Sequence, residues 1–333
     1  MRILITAPYN SEGQRELAEA FGEIIYRPWI PHGRAYNEEE LIALLEETKA
    51  EALITEHDHV TAKVIETHPH LKFIGVCRGT PSNVSLETAS QKGIPVFYAP
   101  ARNAQAVAEM FIANVISLMR NTFDASQWLK DKKWEQGAHT SYLQFKGNEL
   151  AGKTIGIVGF GAIGRLIVKL LENFSCKICY YDPYFPVDNS NYRKTTLEDL
   201  FESSDIVSIH LPENNSTKGM IGKKLLSRMK NDAIFVNTAR ASVVKREDLL
   251  EVLENKKIRG AVLDVFDSEP PDELDYKLIH LPQVLATPHI AGATHELEEH
   301  HAKIMNNNLL SWFKNKNKKK SYLANITGLA KAI

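Results

Sequence analysis

Val158-Gly159-Phe160-Gly161-Ala162-Ile163-Gly164-Arg165 lies between an apolar run, Thr154 to Gly159, and an amphipathic stretch, Ala162 to Asn173. Few short segments restrict a fold so strongly. The first glycine permits the tight turn out of a strand, and the second lets the backbone approach a pyrophosphate. The third lets helix and strand pack closely, while N–H groups at the helix start face the anion. The spacing alone recurs by chance in unrelated chains. Between a strand and a helix it predicts the opening of a dinucleotide-binding sheet. Eighteen residues past Gly164 the next apolar run ends in Tyr181-Asp182-Pro183. A carboxylate there accepts hydrogen bonds from both ribose hydroxyls and repels a 2′-phosphate. No arginine directly follows Asp182, Arg193 being the nearest, so the expected cofactor is NAD rather than NADP.

The rest of the chain fits the same architecture. Short apolar runs at Ile3 to Thr6, Glu23 to Tyr26, Ala52 to Thr55, Lys72 to Val76 and Pro95 to Tyr98 alternate with helical patterns. One of these, Asn37 to Lys49, opens with Asn37 and Glu40 in capping-box spacing. A long helix is expected from Asn103 to Asn121. A second series of six strands then runs from Thr154 to Thr287, with helices at Lys223 to Arg228 and Arg246 to Asn255, and a final helix at about Thr294 to Trp312. Alternation of this kind means parallel sheets covered on both faces. The predicted fold is α/β, two doubly wound parallel-sheet domains in succession.

Composition narrows the function classes. The 333 residues suit two domains, and 40 Lys+Arg against 41 Asp+Glu leave no basic surplus for nucleic acid. Three scattered cysteines, Cys77, Cys176 and Cys179, fit a reducing cytoplasm better than a disulfide scaffold. No apolar run is long enough for a membrane span, and the polar start of the chain is not expected to act as a signal peptide.

Hydride transfer needs a proton donor or acceptor beside the substrate oxygen and a cation for its carboxylate. Arg240 after Phe235-Val236-Asn237, Glu269 in Asp267-Ser268-Glu269-Pro270, and His289 in Thr287-Pro288-His289-Ile290 stand after later strands, where such sheets bind ligands. A guanidinium fork can grip a carboxylate with two bonds, and a carboxylate beside an imidazole favours the charged ring.

These blocks, together with Asn103 to Glu109 and the glycine loop, resemble the D-isomer-specific 2-hydroxyacid dehydrogenase family over most of the chain. The resemblance implies an NAD-dependent oxidoreductase that interconverts a D-2-hydroxy acid and its 2-keto acid. Arg240 would anchor the substrate carboxylate and keto oxygen, His289 would be the acid/base, and Glu269 would pair with it. Cofactor contacts would fall on Gly159, Gly161, Ala162, Ile163, Gly164, Asp182, Leu211, Thr238, Ala239 and Asp264, the last on the nicotinamide amide. A Rossmann cofactor domain, residues 101–312, would be inserted in a flavodoxin-like substrate domain, residues 1–100 plus 313–333. The active site is expected in the cleft between them. The family also implies a homodimer, formed by the long helix from Asn103 and the segment through Trp128 and Trp134.

The chain departs from the family in its substrate loop, Cys77-Arg78-Gly79-Thr80-Pro81-Ser82-Asn83-Val84-Ser85, where Arg78 replaces a glycine and two acids are serines. Backbone N–H groups of Gly79 and Thr80 are expected on the substrate carboxylate. Arg78 either reaches a second anionic or hydroxylated end of the substrate or pairs locally. Ala241-Ser242 stands where the family has a glycine pair. These changes leave the particular acid open.

Other constellations are weaker. Cys176 and Cys179 lie three apart in a strand and face opposite sides. His295 and His300 are one residue too far apart for a zincin helix, and His57-Asp58-His59 and His68-Pro69-His70 lack companion ligands, so no metal is expected. Five lysines at residues 314–320 read as a solvated face. Two other readings remain: a phosphoglycerate dehydrogenase without a regulatory domain, and a non-catalytic NAD(H)-sensing interaction protein.

Overall fold

The computed structural model describes residues 1–134, 138–185, 192–314 and 322–325. The chain divides into two compact units, Met1–Asn103 with Thr294–Ile333, and Ala104–Ala293.

The first unit is a five-stranded parallel sheet of β1 (Ile3–Ile5), β2 (Ile24–Tyr26), β3 (Ala52–Thr55), β4 (Ile74–Val76) and β5 (Val96–Tyr98). Its order, β2-β1-β3-β4-β5, is that of flavodoxin-like sheets. β1, β3 and β4 are buried along their whole length, as strands covered on both faces must be. The helix Glu38–Thr48 starts where the sequence predicts. The Asn37 side chain accepts from Glu40 N, and the Glu40 carboxylate accepts from Asn37 N in return. Residues 322–325 run along β5: Tyr98 N donates to Tyr322 O and Ala324 N to Val96 O.

The second unit holds a seven-stranded sheet of β6 (Thr154–Val158), β7 (Lys177–Tyr181), β8 (Arg193–Lys194), β9 (Ile206–Ile209), β10 (Ile234–Asn237), β11 (Gly260–Leu263) and β12 (Val284–Ala286). All its pairings are parallel, in the order β12-β11-β10-β9-β6-β7-β8. Read outward from β6, this is the Rossmann arrangement with one further strand at the β12 edge. The sequence predicts six strands here. The seventh, β8, is two charged residues at a sheet edge and carries no apolar pattern to betray it.

Two further expectations change. The last helix spans Leu297–Leu309 and continues as a π turn, Leu310–Lys314, close to the expected Thr294 to Trp312. It belongs to the first unit, however, not to the cofactor-binding one. Its buried face packs on the helix Ser11–Phe21, with Tyr9 Oη donating to Asn306 Oδ1 at 2.6 Å and Asn306 Nδ2 to Gly13 O at 3.0 Å. The long helix spans Ala104–Met119, and its apolar side is not a free face. Ala108, Phe111, Val115 and Met119 join Ile155, Ile157 and Val236 in the core of the second unit. Most of the lysine run, residues 315–320, lies outside the described residues.

Candidate active site

The glycine loop follows β6 as the motif requires. Gly159 has φ +97°, and a Cβ there would meet the carbonyl oxygen of His210 at 2.7 Å. A Cβ on Gly164 would come within 2.4 Å of Gly159 O, so only glycine lets the helix Ala162–Leu171 pack this close to its strand. A Cβ on Gly161 would meet nothing within 4 Å, and no side chain caps the helix start behind it. The helix therefore begins with open space in front of free N–H donors, the setting a pyrophosphate needs. Asp182 directly follows β7 and is held beside the loop: Phe160 N donates to its Oδ2 at 2.8 Å, and Tyr184 N and Phe185 N donate to its Oδ1. Leu211 is buried, with its Cδ2 near Gly159. Thr238 and Ala239 follow β10, and the buried Thr238 Oγ1 has no partner among the described residues. An open cradle and an orphaned buried hydroxyl both fit a bound dinucleotide.

The three chemistry-bearing residues converge. Arg240, Glu269 and His289 line one cavity of about 600 Å³, which Ser242, Arg246 and Asp267 also border. Asn237, at the end of β10, shapes the Arg240 turn. Its Oδ1 accepts from Ala239 N and its Nδ2 donates to Arg240 O. Arg240 gives one N–H to Ala239 O at 2.7 Å and is otherwise exposed. His289 Nδ1 lies 2.8 and 2.9 Å from the two Glu269 oxygens, so the carboxylate fixes that nitrogen as N–H and leaves Nε2 for a reacting group.

His289 has φ +51°, a left-handed conformation that a non-glycine residue adopts at a cost of about 1–3 kcal/mol. Asp264 holds it there. This carboxylate, fully buried after β11, accepts from Thr287 Oγ1 at 2.6 Å, Ile290 N at 2.9 Å and Ala291 N at 2.8 Å. The resemblance puts Asp264 on the nicotinamide amide; in the structure both its oxygens are engaged by the turn that carries His289.

Arg78, Gly79 and Thr80 follow β4 in the first unit, at the carboxyl edge of its sheet. Gly79 and Thr80 are exposed, whereas Arg78 is half-buried, and its carbonyl accepts from Ala99 N. Burial and then the Arg78 and Arg102 charges hold the nearby His57 below the ordinary imidazole range, against the pull of Glu56.

Several members of the weaker constellations make structural contacts. Cys179 is buried against Ser204, and Cys176 Sγ donates to Leu150 O, its thiol pushed up to about 11 by burial. His68 is buried, with Nδ1 on Val64 O. Asp58 accepts from Thr6, Thr55 and Tyr36 N. No group of three His, Cys, Asp or Glu among the described residues could hold a metal ion. Sequence reasoning overlooked Asn237, Arg246, Asp272 and Asp275; the one available signal was the density of acids in residues 264–275 opposite an arginine that opens a helix.

A Rossmann sheet, a dinucleotide cradle and a His–Glu pair beside an arginine define an oxidoreductase of the NAD-dependent class. Residues 112–291 match the model of the D-isomer specific 2-hydroxyacid dehydrogenase NAD-binding domain. YoaD of Bacillus subtilis (strain 168), provisionally described as a 2-hydroxyacid dehydrogenase, is 57% identical over 94% of this chain and 91% of its own. The hydroxypyruvate reductase of Thermotoga maritima is 38% identical over 72% of this chain and 76% of its own. Among solved structures, the TT0316 protein from Thermus thermophilus superposes with a TM-score of 0.81 at 29% identity, over 96% of this chain and 99% of that one. The chain belongs to the D-isomer specific 2-hydroxyacid dehydrogenase family. It is an NAD-dependent enzyme that interconverts a D-2-hydroxy acid and its 2-keto acid.

Proposed function

We propose that His289 is the acid/base of this reaction, that Glu269 holds its protonated Nδ1, and that Arg240 anchors the substrate carboxylate. The observation that carries this reading is the Glu269 carboxylate on His289 Nδ1, with Arg240 lining the same cavity. Bound NAD supplies the hydride exchange at the substrate carbon, and the residues to hold it are Gly159, Gly161, Ala162, Ile163, Gly164, Asp182, Leu211, Thr238 and Ala239. In the reductive direction, His289 Nε2 gives a proton to the keto oxygen as that oxygen gains charge. In the oxidative direction the neutral ring takes it back. Glu269 keeps the imidazole in the required tautomer and orientation throughout. The fork of Arg240 fixes the carboxylate, so the carbonyl is presented in one orientation only. Asp264 acts on the reaction through the His289 turn. Arg78, Gly79 and Thr80 are assigned to the substrate on the resemblance of their loop.

Hydroxypyruvate, named for the Thermotoga relative, is the first acid to test, beside glyoxylate and 3-phosphohydroxypyruvate. NADH oxidation followed by absorbance should be fast with at least one of them, and His289→Ala should lower kcat by about 10²–10⁴-fold while still binding NADH. Turnover unchanged in His289→Ala would sink the assignment.

A cytoplasmic setting is supported by three unpaired thiols. A homodimer is supported by the segment that follows the long helix, where Phe123, Leu129, Trp134, Tyr142 and Leu143 are each at least half exposed.

A further inference from the structure

Glu269 has its two oxygens on His289, and no other bond to its side chain is found among the described residues. Apart from His289 itself, the placement of that side chain therefore depends on its backbone. The flanking residues show how. Arg246, the first residue of the helix Arg246–Glu254, sends Nε to Asp267 Oδ2 at 3.2 Å and Nη1 to Asp272 Oδ2 at 2.7 Å and Asp275 Oδ1 at 3.2 Å. Asp275 is buried, and its second oxygen accepts from Ser268 N at 3.2 Å and Asp272 N at 3.4 Å. Asp272 caps the helix Glu273–Ile279 through Leu274 N and Asp275 N. One guanidinium thus grips the chain on both sides of Glu269.

The charge count gives the grip its necessity. Asp267, Asp272 and Asp275 converge on a single arginine, with Glu247 at 3.7 Å as a fourth acid. Without the cation they would repel one another and spread the loop that carries Glu269. The same arginine opens the helix that follows the Arg240 turn, so it joins the substrate-anchoring segment to the proton-transfer segment.

We propose that Arg246 is a positioning residue for the reaction: it holds residues 267–275 in the shape that brings Glu269 onto His289. This rests on the roles given above to Glu269 and His289. Misplacing a reacting group by about 1 Å can cost about 10²-fold in rate. Arg246→Met should therefore lower kcat for 2-keto acid reduction by about 10- to 100-fold, with the NADH dissociation constant unchanged. Arg246→Lys, which keeps the charge but loses the fork, should recover part of the loss. The deciding measurement is a double-mutant cycle on kcat. If Arg246 acts through Glu269, then Arg246→Met adds no further loss to Glu269→Gln. Asp267→Asn releases one arm without leaving a charge in the interior, and serves if Arg246→Met does not fold. Its smaller loss should also vanish in the Glu269→Gln background. Additive losses, or full activity in Arg246→Met, would overturn the proposal. An unaffected Glu269→Gln would instead overturn the role given to the His289–Glu269 pair.

Discussion

His289 shows how much of an active site is a matter of single bonds. Its left-handed backbone is unfavourable, and Asp264 offsets the strain with three hydrogen bonds to the turn. Asp264→Asn is nearly isosteric but places an N–H group where a donor already points. It should lower kcat by about tenfold or more and lower the unfolding midpoint in denaturant; a variant equal to the parent in both would show that the turn holds itself. The identity of His289, Glu269 and Arg240 was readable from the sequence, because each stands after a predicted strand in a familiar block. Their distances were not: Glu269 and His289 stand twenty residues apart, the resemblance implies that they pair, and the structure gives the 2.8 Å contact. The bonds that make Asp264 a support for the histidine turn were equally invisible, since a strand-end aspartate reads the same whether it faces a ligand or the protein.

At the scale of elements, two glycines of the loop make separable predictions. Gly164→Ala would force a methyl to within 2.4 Å of Gly159 O and destabilise the second unit by about 1–3 kcal/mol, measurable by denaturant unfolding. Gly161→Ala meets nothing in the protein and should leave stability unchanged, yet weaken NADH binding in a fluorescence titration. If both variants bind NADH like the parent, the loop is a packing device and nothing more. The strand–loop–helix was fully legible because its steric demands are local. So was the helix Glu38–Thr48, whose capping box lies within four residues. Strand β8 was not, because a two-residue edge strand exists only by virtue of its neighbour, Cys179 pairing with Arg193 and Tyr180 with Lys194.

Across the whole molecule, two buried imidazoles contribute to the response to acid. Burial holds His210 down to about 3, and His301 to about 4 even though the Pro8 carbonyl accepts from its ring. The unfolded chain takes up protons at both near pH 6.5 while the folded chain refuses them, so their contribution to stability is full above that pH and is lost as the pH drops from about 6.5 toward about 4 for His301 and about 3 for His210. Thermal unfolding across this range should show the decline, and His210→Gln with His301→Gln should flatten it; an identical slope would assign the loss to other groups. The exposed aromatic segment makes a second prediction at this scale. Light scattering should report a dimer, and Tyr142→Asp with Leu143→Asp should shift it to monomer without unfolding it. The sequence by itself determined the two α/β series, the dinucleotide loop and the family, since these rest on local periodicity and on residue types at fixed spacing. Only the tertiary structure decided that the last helix joins the first unit, that the long helix spends its apolar face on its own core, and that one arginine gathers three aspartates around Glu269. Each of those depends on which distant surfaces bury each other, and burial is a property of the folded chain that no local pattern encodes.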